Sequence, residues 1–344
     1  MSKIAVLYIC TGKYFTFLES FFNYAEKNLF PGSEKRYFVF TEKGRKCILK
    51  DRFPDKIELV EMANEDATKW PLVTLMRYKF FHCCESELMK YDYCIFCNAN
   101  LYWINEVSEQ MLLPKKGSNK IRFQWHPYYT TVSTPQELPY DRTEGSTARV
   151  GYDEGRYYIA GGLLAGETKP FLDMSKELEK KIDEDFNKGI IAKFHDESHI
   201  NRWIIDNPDK FELLPPPFMW PSEFGTTKKT YGTTDFKTIY GYCLNKKVLG
   251  SGEDHQNIRN KNEYDIDIRY NDALVHRWYD LKINGEIVGM LKIRYNICIV
   301  GTTGQTGVVV GEDEKSLSVV WDDTGLETFT KDETNHLLTS SQRY

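Results

Sequence analysis

Over the first hundred residues, short runs of β-branched and aromatic residues alternate with stretches of helical period. Ile4 to Cys10 is a continuous apolar run, the pattern of a strand buried on both faces. Thr11-Gly12-Lys13-Tyr14 leaves it. Leu18, Phe21, Phe22, Ala25 and Leu29 then recur at helical spacing until Pro31-Gly32 ends the helix. Tyr37 to Phe40 and Ile57 to Val60 predict a second and a third strand. Leu72, Met76, Phe80, Cys84 and Leu88 predict a helix over residues 72–90. A further apolar run, Tyr93 to Cys97, stops abruptly at Asn98-Ala99-Asn100. Alternation of this kind predicts an α/β fold whose sheet is mainly parallel, with helices on both faces.

The middle of the chain is less regular. Ile121 to Trp125 predicts a strand, left through His126-Pro127-Tyr128-Tyr129, and residues 130–154 read as loop. Tyr157 to Gly162 reads as a short strand running into small residues, and residues 169–187 as an amphipathic helix with Met174, Leu178, Ile182 and Phe186 on one stripe. Phe194-His195-Asp196-Glu197-Ser198-His199 opens another helix, with Asp196 as its N-cap, and Pro215-Pro216-Pro217 closes the compact part. From Thr226 the pattern is loop-like and basic. The first domain is placed at residues 1–262, a connecting segment at 263–293, and a small β-rich module resembling an SH3-like barrel at 294–338. In that module, residues 307–311 and 317–321 read as a hairpin.

Composition narrows the class. The chain has 344 residues, 41% hydrophobic and 14% aromatic, with a net charge of −5. That balance argues against a nucleic-acid binder, which would carry a basic excess. The eight cysteines form no disulfide framework. Cys94 and Cys97 have CxxC spacing, but in a strand their sulfurs point to opposite faces, which suits neither zinc nor redox work. No stretch reads as a signal peptide or membrane span, and a cytoplasmic protein with reduced thiols is expected.

Two clusters suggest chemistry. Within a strand the i, i+2 spacing would put Asn98 and Asn100 on one side, at the carboxyl edge where open α/β sheets bind ligands; an Asn-rich turn is the plainer reading. His195-Asp196-Glu197 is the sharper cluster. A cap accounts for Asp196 alone, whereas a carboxylate beside a pocket can stabilise an oxocarbenium ion or attack an anomeric carbon.

Together these segments resemble glycosyltransferase family six, the family of the histo-blood-group ABO transferases and the α-1,3-galactosyltransferase. The resemblance is carried by Ile9 to Tyr14, Arg77, Asn98-Ala99-Asn100, His126-Pro127, Arg156 to Gly162, His195 to Asn201 and His255 to Asn260, in the family's order. It implies a Rossmann-like GT-A fold and retaining α-1,3 transfer of GalNAc or Gal from a UDP-sugar to a galactoside, of the fucosylated (Fucα1-2Gal) kind. It implies Glu197 as the catalytic carboxylate. Ile9, Thr11, Tyr14, Arg77, Asn98, Ala99, Asn100, Ile159, Ala160, Gly161, Asp196 and Arg259 fall on the donor, and His126, Phe194 and His195 on the acceptor. Manganese-dependent members carry aspartates where this chain has Asn98 and Asn100. Bacterial-type members carry the amides and work without metal, so no metal cofactor is expected. The leaving diphosphate would be neutralised among Lys13, Arg77, Lys228, Lys229, Lys246, Lys247 and Arg259. Gly161 resembles the GalNAc-using members, which points to UDP-GalNAc over UDP-Gal. The alternative is a non-catalytic nucleotide-sugar or carbohydrate-binding protein of the same fold, which has no need of Arg77, His195, Asp196 and Glu197 together.

Overall fold

The computed structural model describes residues 2–62, 71–132, 134–224 and 239–244, and the backbone of six strands between Trp278 and Thr330. The N-terminal part runs β1 (Lys3–Ile9), a 3-10 segment (Gly12–Phe17), α1 (Leu18–Asn28), β2 (Glu34–Glu42), α2 (Ile48–Arg52) and β3 (Ile57–Met62). Three short helices follow, α3 (Leu72–Leu75), α4 (Arg77–Cys83) and α5 (Glu85–Leu88), before β4 (Tyr93–Cys97), β5 (Leu101–Trp103), α6 (Glu109–Leu112) and β6 (Ile121–Trp125). Then come β7 (Ile159–Glu167), α7 (Thr168–Asn187), α8 (Asp196–Asp206), β8 (Phe211–Leu214), β9 (Trp220–Pro221) and β10 (Gly241–Cys243).

Seven of these strands form one twisted sheet in the order β3-β2-β1-β4-β7-β6-β8. All its neighbours pair in parallel except at β7, which runs antiparallel to both β4 and β6. This is a mixed α/β sheet of the GT-A type. Its two faces are separate hydrophobic layers, and the alternation along β1 and β4 sorts residues between them. Ile4, Val6, Tyr8, Ile95 and Cys97 join Phe21, Phe22 and Ala25 of α1 on one face. Ala5, Leu7, Cys94 and Phe96 join Phe81, Phe171, Leu178 and Trp203 on the other. Each such large apolar side chain contributes about 1.5–3 kcal/mol on burial. Cys94 and Cys97 therefore lie on opposite layers as expected. Burial pushes the Cys94 thiol up to about 12 and the Cys97 thiol upward too.

Four expectations change. The helix expected over residues 72–90 is three short helices, broken at Met76 (φ −87°, ψ 4°) and Cys84 (φ −111°, ψ 11°), both near the sparsely allowed bridge region of the backbone map. The strand expected to end at Gly162 instead begins at Ile159 and continues to Glu167, because Leu163, Leu164 and Ala165 are all buried. Its register against β6 jumps from Phe123↔Leu164 to Gln124↔Ala160, so Gly161, Gly162 and Leu163 bulge out of the pairing. The loop-like stretch beyond Thr226 contains β10, which pairs antiparallel with β5 and parallel with β9 in a second small sheet. A Cβ at Gly241 would collide with the Phe218 carbonyl, so that strand's backbone approach requires glycine.

The C-terminal strands form a sheet of their own: β11 (Trp278–Ile283), β12 (Glu286–Lys292), β13 (Cys298–Gly301), β14 (Thr306–Glu312), β15 (Ser316–Trp321) and β16 (Gly325–Thr330). Each pairs antiparallel with the next. The expected hairpin is the β14–β15 pair. Strands β11 and β12 lie in the stretch expected to be a connecting segment, so the β-rich part starts at Trp278. Among the described residues no helix is long and apolar enough to cross a membrane.

Candidate active site

The carboxyl ends of β1 and β4 open into a cleft lined by Ile9, Thr11, Tyr14, Arg77, Asn98, Ala99 and Asn100 of the expected donor set. Val73, Thr74 and Phe96 complete the lining. Phe96 was hidden in an apolar run, and nothing in the pattern marked Val73 or Thr74. Asn98 and Asn100 do not continue β4. They stand in a turn closed by the Leu101 N–H donating to the Asn98 carbonyl at 3.0 Å, which is the plainer of the two sequence readings. Asn98 is seated beside β7, its own N–H donating to the Gly162 carbonyl at 2.8 Å. A Cβ on Gly162 would lie 2.6 Å from Asn98 Nδ2 and 2.7 Å from Met219 Sδ, so the second glycine of the pair makes room for the amide.

The charged half of the site is assembled on Gly161. Its N–H donates to Glu197 Oε2 at 2.8 Å, and its carbonyl accepts from Arg77 Nη1 at 2.6 Å. The same Nη1 stands 3.1 Å from Asp196 Oδ2, and both side chains are buried. The guanidinium also lies over the Phe96 ring, 4.4 Å from its centre. The bulge in β7 makes this possible, because it frees the Gly161 N–H and carbonyl from the β6 ladder. Burial pushes the Glu197 carboxyl up to about 7. Asp196 adds to the rise, and the Gly161 N–H and Arg77 oppose it. The buried Tyr158 hydroxyl, within electrostatic reach of Glu197, is itself pushed upward by burial first and by that carboxylate second.

Helix α8 holds the two acids through its own sequence. Its N-cap is His195 rather than Asp196, which is the first helical residue. His195 has φ 53° and ψ −127°, a left-handed conformation that a non-glycine residue rarely adopts. The turn before it is fixed by the His195 N–H to the Ala192 carbonyl (2.9 Å) and by Ser198 Oγ accepting from the Phe194 N–H (2.9 Å). That geometry leaves Asp196 and Glu197 in the first turn, where the helix dipole favours negative charge. Asn201, fully buried, clamps helix to strand: its Oδ1 accepts from the Ile159 N–H at 2.8 Å, and its Nδ2 donates to the Ile159 carbonyl at 3.0 Å and the Glu197 carbonyl at 2.8 Å. Asn201 ends the motif that begins at His195, and nothing local in the sequence marks it as a clamp between helix and strand.

Ile159 and Ala160 are buried in the two core layers, one on each side, and do not line the cleft. On the acceptor side, His126 packs against Tyr129 and Tyr158 at ring distances of 4.8 and 5.7 Å, and burial pushes its imidazole down to about 4. Phe194 is 37% exposed and meets Tyr158 edge-on at 6.4 Å, presenting an aromatic face near Glu197. Burial also lowers the His195 imidazole. Lys228, Lys229, Lys246, Lys247, the stretch His255 to Asn260 and with it Arg259 lie outside the described residues.

Among the described residues the donor set brings neutral amides, not carboxylates, to the β4 edge. Among the described residues no three His, Cys, Asp or Glu side chains converge. The cleft offers two neutral amides, and hard cations favour carboxylates that offset their dehydration.

Comparison with known proteins gives this geometry a family. The profile of glycosyltransferase family 6 matches residues 2–233. The chain is 30% identical to the O-antigen biosynthesis glycosyltransferase WbnI of Escherichia coli over 225 residues, covering 65% of this chain and 91% of that protein. It is 27% identical over 222 residues to histo-blood group ABO system transferase 1 of Rattus norvegicus, covering 60% of this chain and 58% of that one. It is 26% identical over 220 residues to globoside alpha-1,3-N-acetylgalactosaminyltransferase 1 of Homo sapiens, covering 63% and 60%. The chain thus spans about three fifths of the length of these two mammalian relatives. With the matched region taking in the cleft, the Gly161 cluster and helix α8, the chain belongs to glycosyltransferase family 6.

Proposed function

We propose that this glycosyltransferase moves GalNAc, or more slowly Gal, from its UDP-sugar to a galactoside acceptor of the fucosylated kind, forming an α-1,3 bond with retention and without a metal ion. The observation that carries the reading is the arrangement on Gly161, where Glu197, Arg77 and Asp196 meet beside the cleft at the β4 edge.

The roles follow from how each group is held. Thr11, Tyr14 and Ile9 take the uridine end, and Asn98 takes the ribose and diphosphate at the β4 edge. Arg77 is committed to Asp196 and to the Gly161 carbonyl, so it orients the sugar end of the donor rather than neutralising phosphate. That leaves Lys13 and the lysines and arginine outside the described residues to take up the charge of departing UDP. Glu197, aimed by a main-chain N–H, either attacks the anomeric carbon or stabilises the oxocarbenium ion while the acceptor enters on the face UDP leaves. In both routes it must be ionised. His126 and Phe194 flank the acceptor, with His126 neutral at physiological pH.

The test is UDP release from UDP-GalNAc, UDP-Gal and UDP-Glc with plain and fucosylated galactosides, each in EDTA and in manganese. Acceptor-dependent release in EDTA, fastest with UDP-GalNAc, is expected. Turnover only with manganese would overturn metal independence, and no acceptor-stimulated release from any donor would favour a binding protein.

A further inference from the structure

Asn100 is 2% exposed and sits at the seam between the cleft and the small β5-β10-β9 sheet. Register along β5 and β10 pairs Leu101 with Cys243, which places Leu244 opposite Asn100. The Leu244 N–H donates to the Asn100 carbonyl at 2.9 Å, as the next rung of an antiparallel ladder would. The return bond of that rung needs an N–H from Asn100. It comes from the side chain: Asn100 Nδ2 donates to the Leu244 carbonyl, and also stands 3.2 Å from Cys243 Sγ.

We propose that Asn100 is a positioning residue whose side-chain amide substitutes for a backbone N–H and latches the chain leaving β10 to the diphosphate end of the cleft. The requirement is for a donor at this position. A carboxylate of the same shape would set two acceptors against the Leu244 carbonyl in a buried place, which is unfavourable in both its charge and its hydrogen bonding. Asn98 has a different job, since its side chain occupies the space that a Cβ on Gly162 would take, beside β7. The Asn100 Oδ1, buried and without a partner among the described residues, is left to accept a hydroxyl from whatever fills the cleft. The latch therefore joins ligand and β10 through one amide, and its geometry stands whether or not the donor is a UDP-hexose.

Amide hydrogen exchange of the full chain without ligand tests it, read as the rate in each variant relative to the native chain. Asn100→Leu keeps the volume and removes the donor; exchange at Cys243 and Leu244 should rise at least tenfold while amides of β1 and β4 stay unchanged. Asn98→Leu should leave β10 at its native rate. Asn100→Asp separates donation from packing: followed from pH 4 to 9 and read against the native chain, protection at Cys243 and Leu244 should be retained while the buried carboxyl is protonated and lost as it ionises. Native exchange in Asn100→Leu, an equal rise in Asn98→Leu, or an Asp variant as unprotected as the Leu variant at every pH from 4 to 9 would each overturn the latch. Because no substrate is present, failure here is distinct from failure of the transferase reading.

Discussion

The two sides of the cleft are built on opposite principles. At the β4 edge, Asn98 and Asn100 are neutral, sit in a turn, and are placed by main-chain bonds and by the absence of side chains at Gly162. At the start of α8, Asp196 and Glu197 are carboxyl groups in a regular helix, held by Arg77 and Gly161. Charge is kept where a buried partner or a peptide N–H answers it, and left out where none does. Burying a lone carboxylate costs several kcal/mol, whereas an amide needs only hydrogen bonds. The division predicts that the charged side governs the chemical step and the neutral side governs binding of the nucleotide.

The strongest way to break that division is Glu197→Gln. Loss of about a thousandfold or more in kcat is expected, with UDP-sugar affinity measured by calorimetry little changed. Near-native turnover would remove Glu197 from the mechanism. Next is Arg77→Met, which strands the buried Asp196. Breaking such a pair costs about 3–5 kcal/mol, so the thermal midpoint should fall by many degrees together with kcat. An Arg77→Met, Asp196→Asn double variant should recover part of the stability and none of the activity.

Acidity sharpens the contrast further. With its carboxyl raised to about 7, Glu197 is about one-tenth ionised at pH 6, so kcat/KM should climb with pH through that value. The folded state holds this proton more tightly than the unfolded chain. Its contribution to stability is therefore full below the ordinary carboxyl range and is lost as pH rises through about 7. Glu197→Gln should thus gain thermal stability over the native chain at pH 8 and gain less at pH 5. A profile flat between pH 5.5 and 8, with no such difference in melting, would contradict both statements.

The smallest effect concerns Gly161. A Cβ there would lie 3.0 Å from Asp196 Oδ2, so a methyl presses on the aspartate proposed to meet the donor sugar. Gly161→Ala should shift donor preference toward Gal over GalNAc by about tenfold, the scale of one methyl group, while lowering transfer from both. An unchanged donor ratio in a competition assay would detach Gly161 from donor choice.

Much of this was legible before any coordinates. Buried strands such as β1 and β4 and the long amphipathic α7 carry periodicities that leave few alternatives, and the residues of the charged cluster were each marked by motif. What escaped was set by contacts distant in sequence. The glycine pair read as a strand's end, because a bulge that absorbs Gly161 to Leu163 depends on the register of β6, which β7's own residues do not encode. Strand β10 is three residues long and exists through pairing with β5 and a backbone approach to Phe218. Asp196 has the chemistry of a cap, yet the turn held by Ala192 and Ser198 moves the cap to His195. The turn at Asn98 and Asn100 was the plainer of two sequence readings, but the separate neighbours it gives them, β7 for one and β10 for the other, follow from contacts distant in sequence.

The dual hold that Gly161 exerts has a mechanical corollary. Because a single residue grips the acid with its nitrogen and the guanidinium with its oxygen, breathing of β7 carries both charges along together. The acid and the guanidinium are thus tied to one peptide unit, and a substitution that moves that unit would move both together.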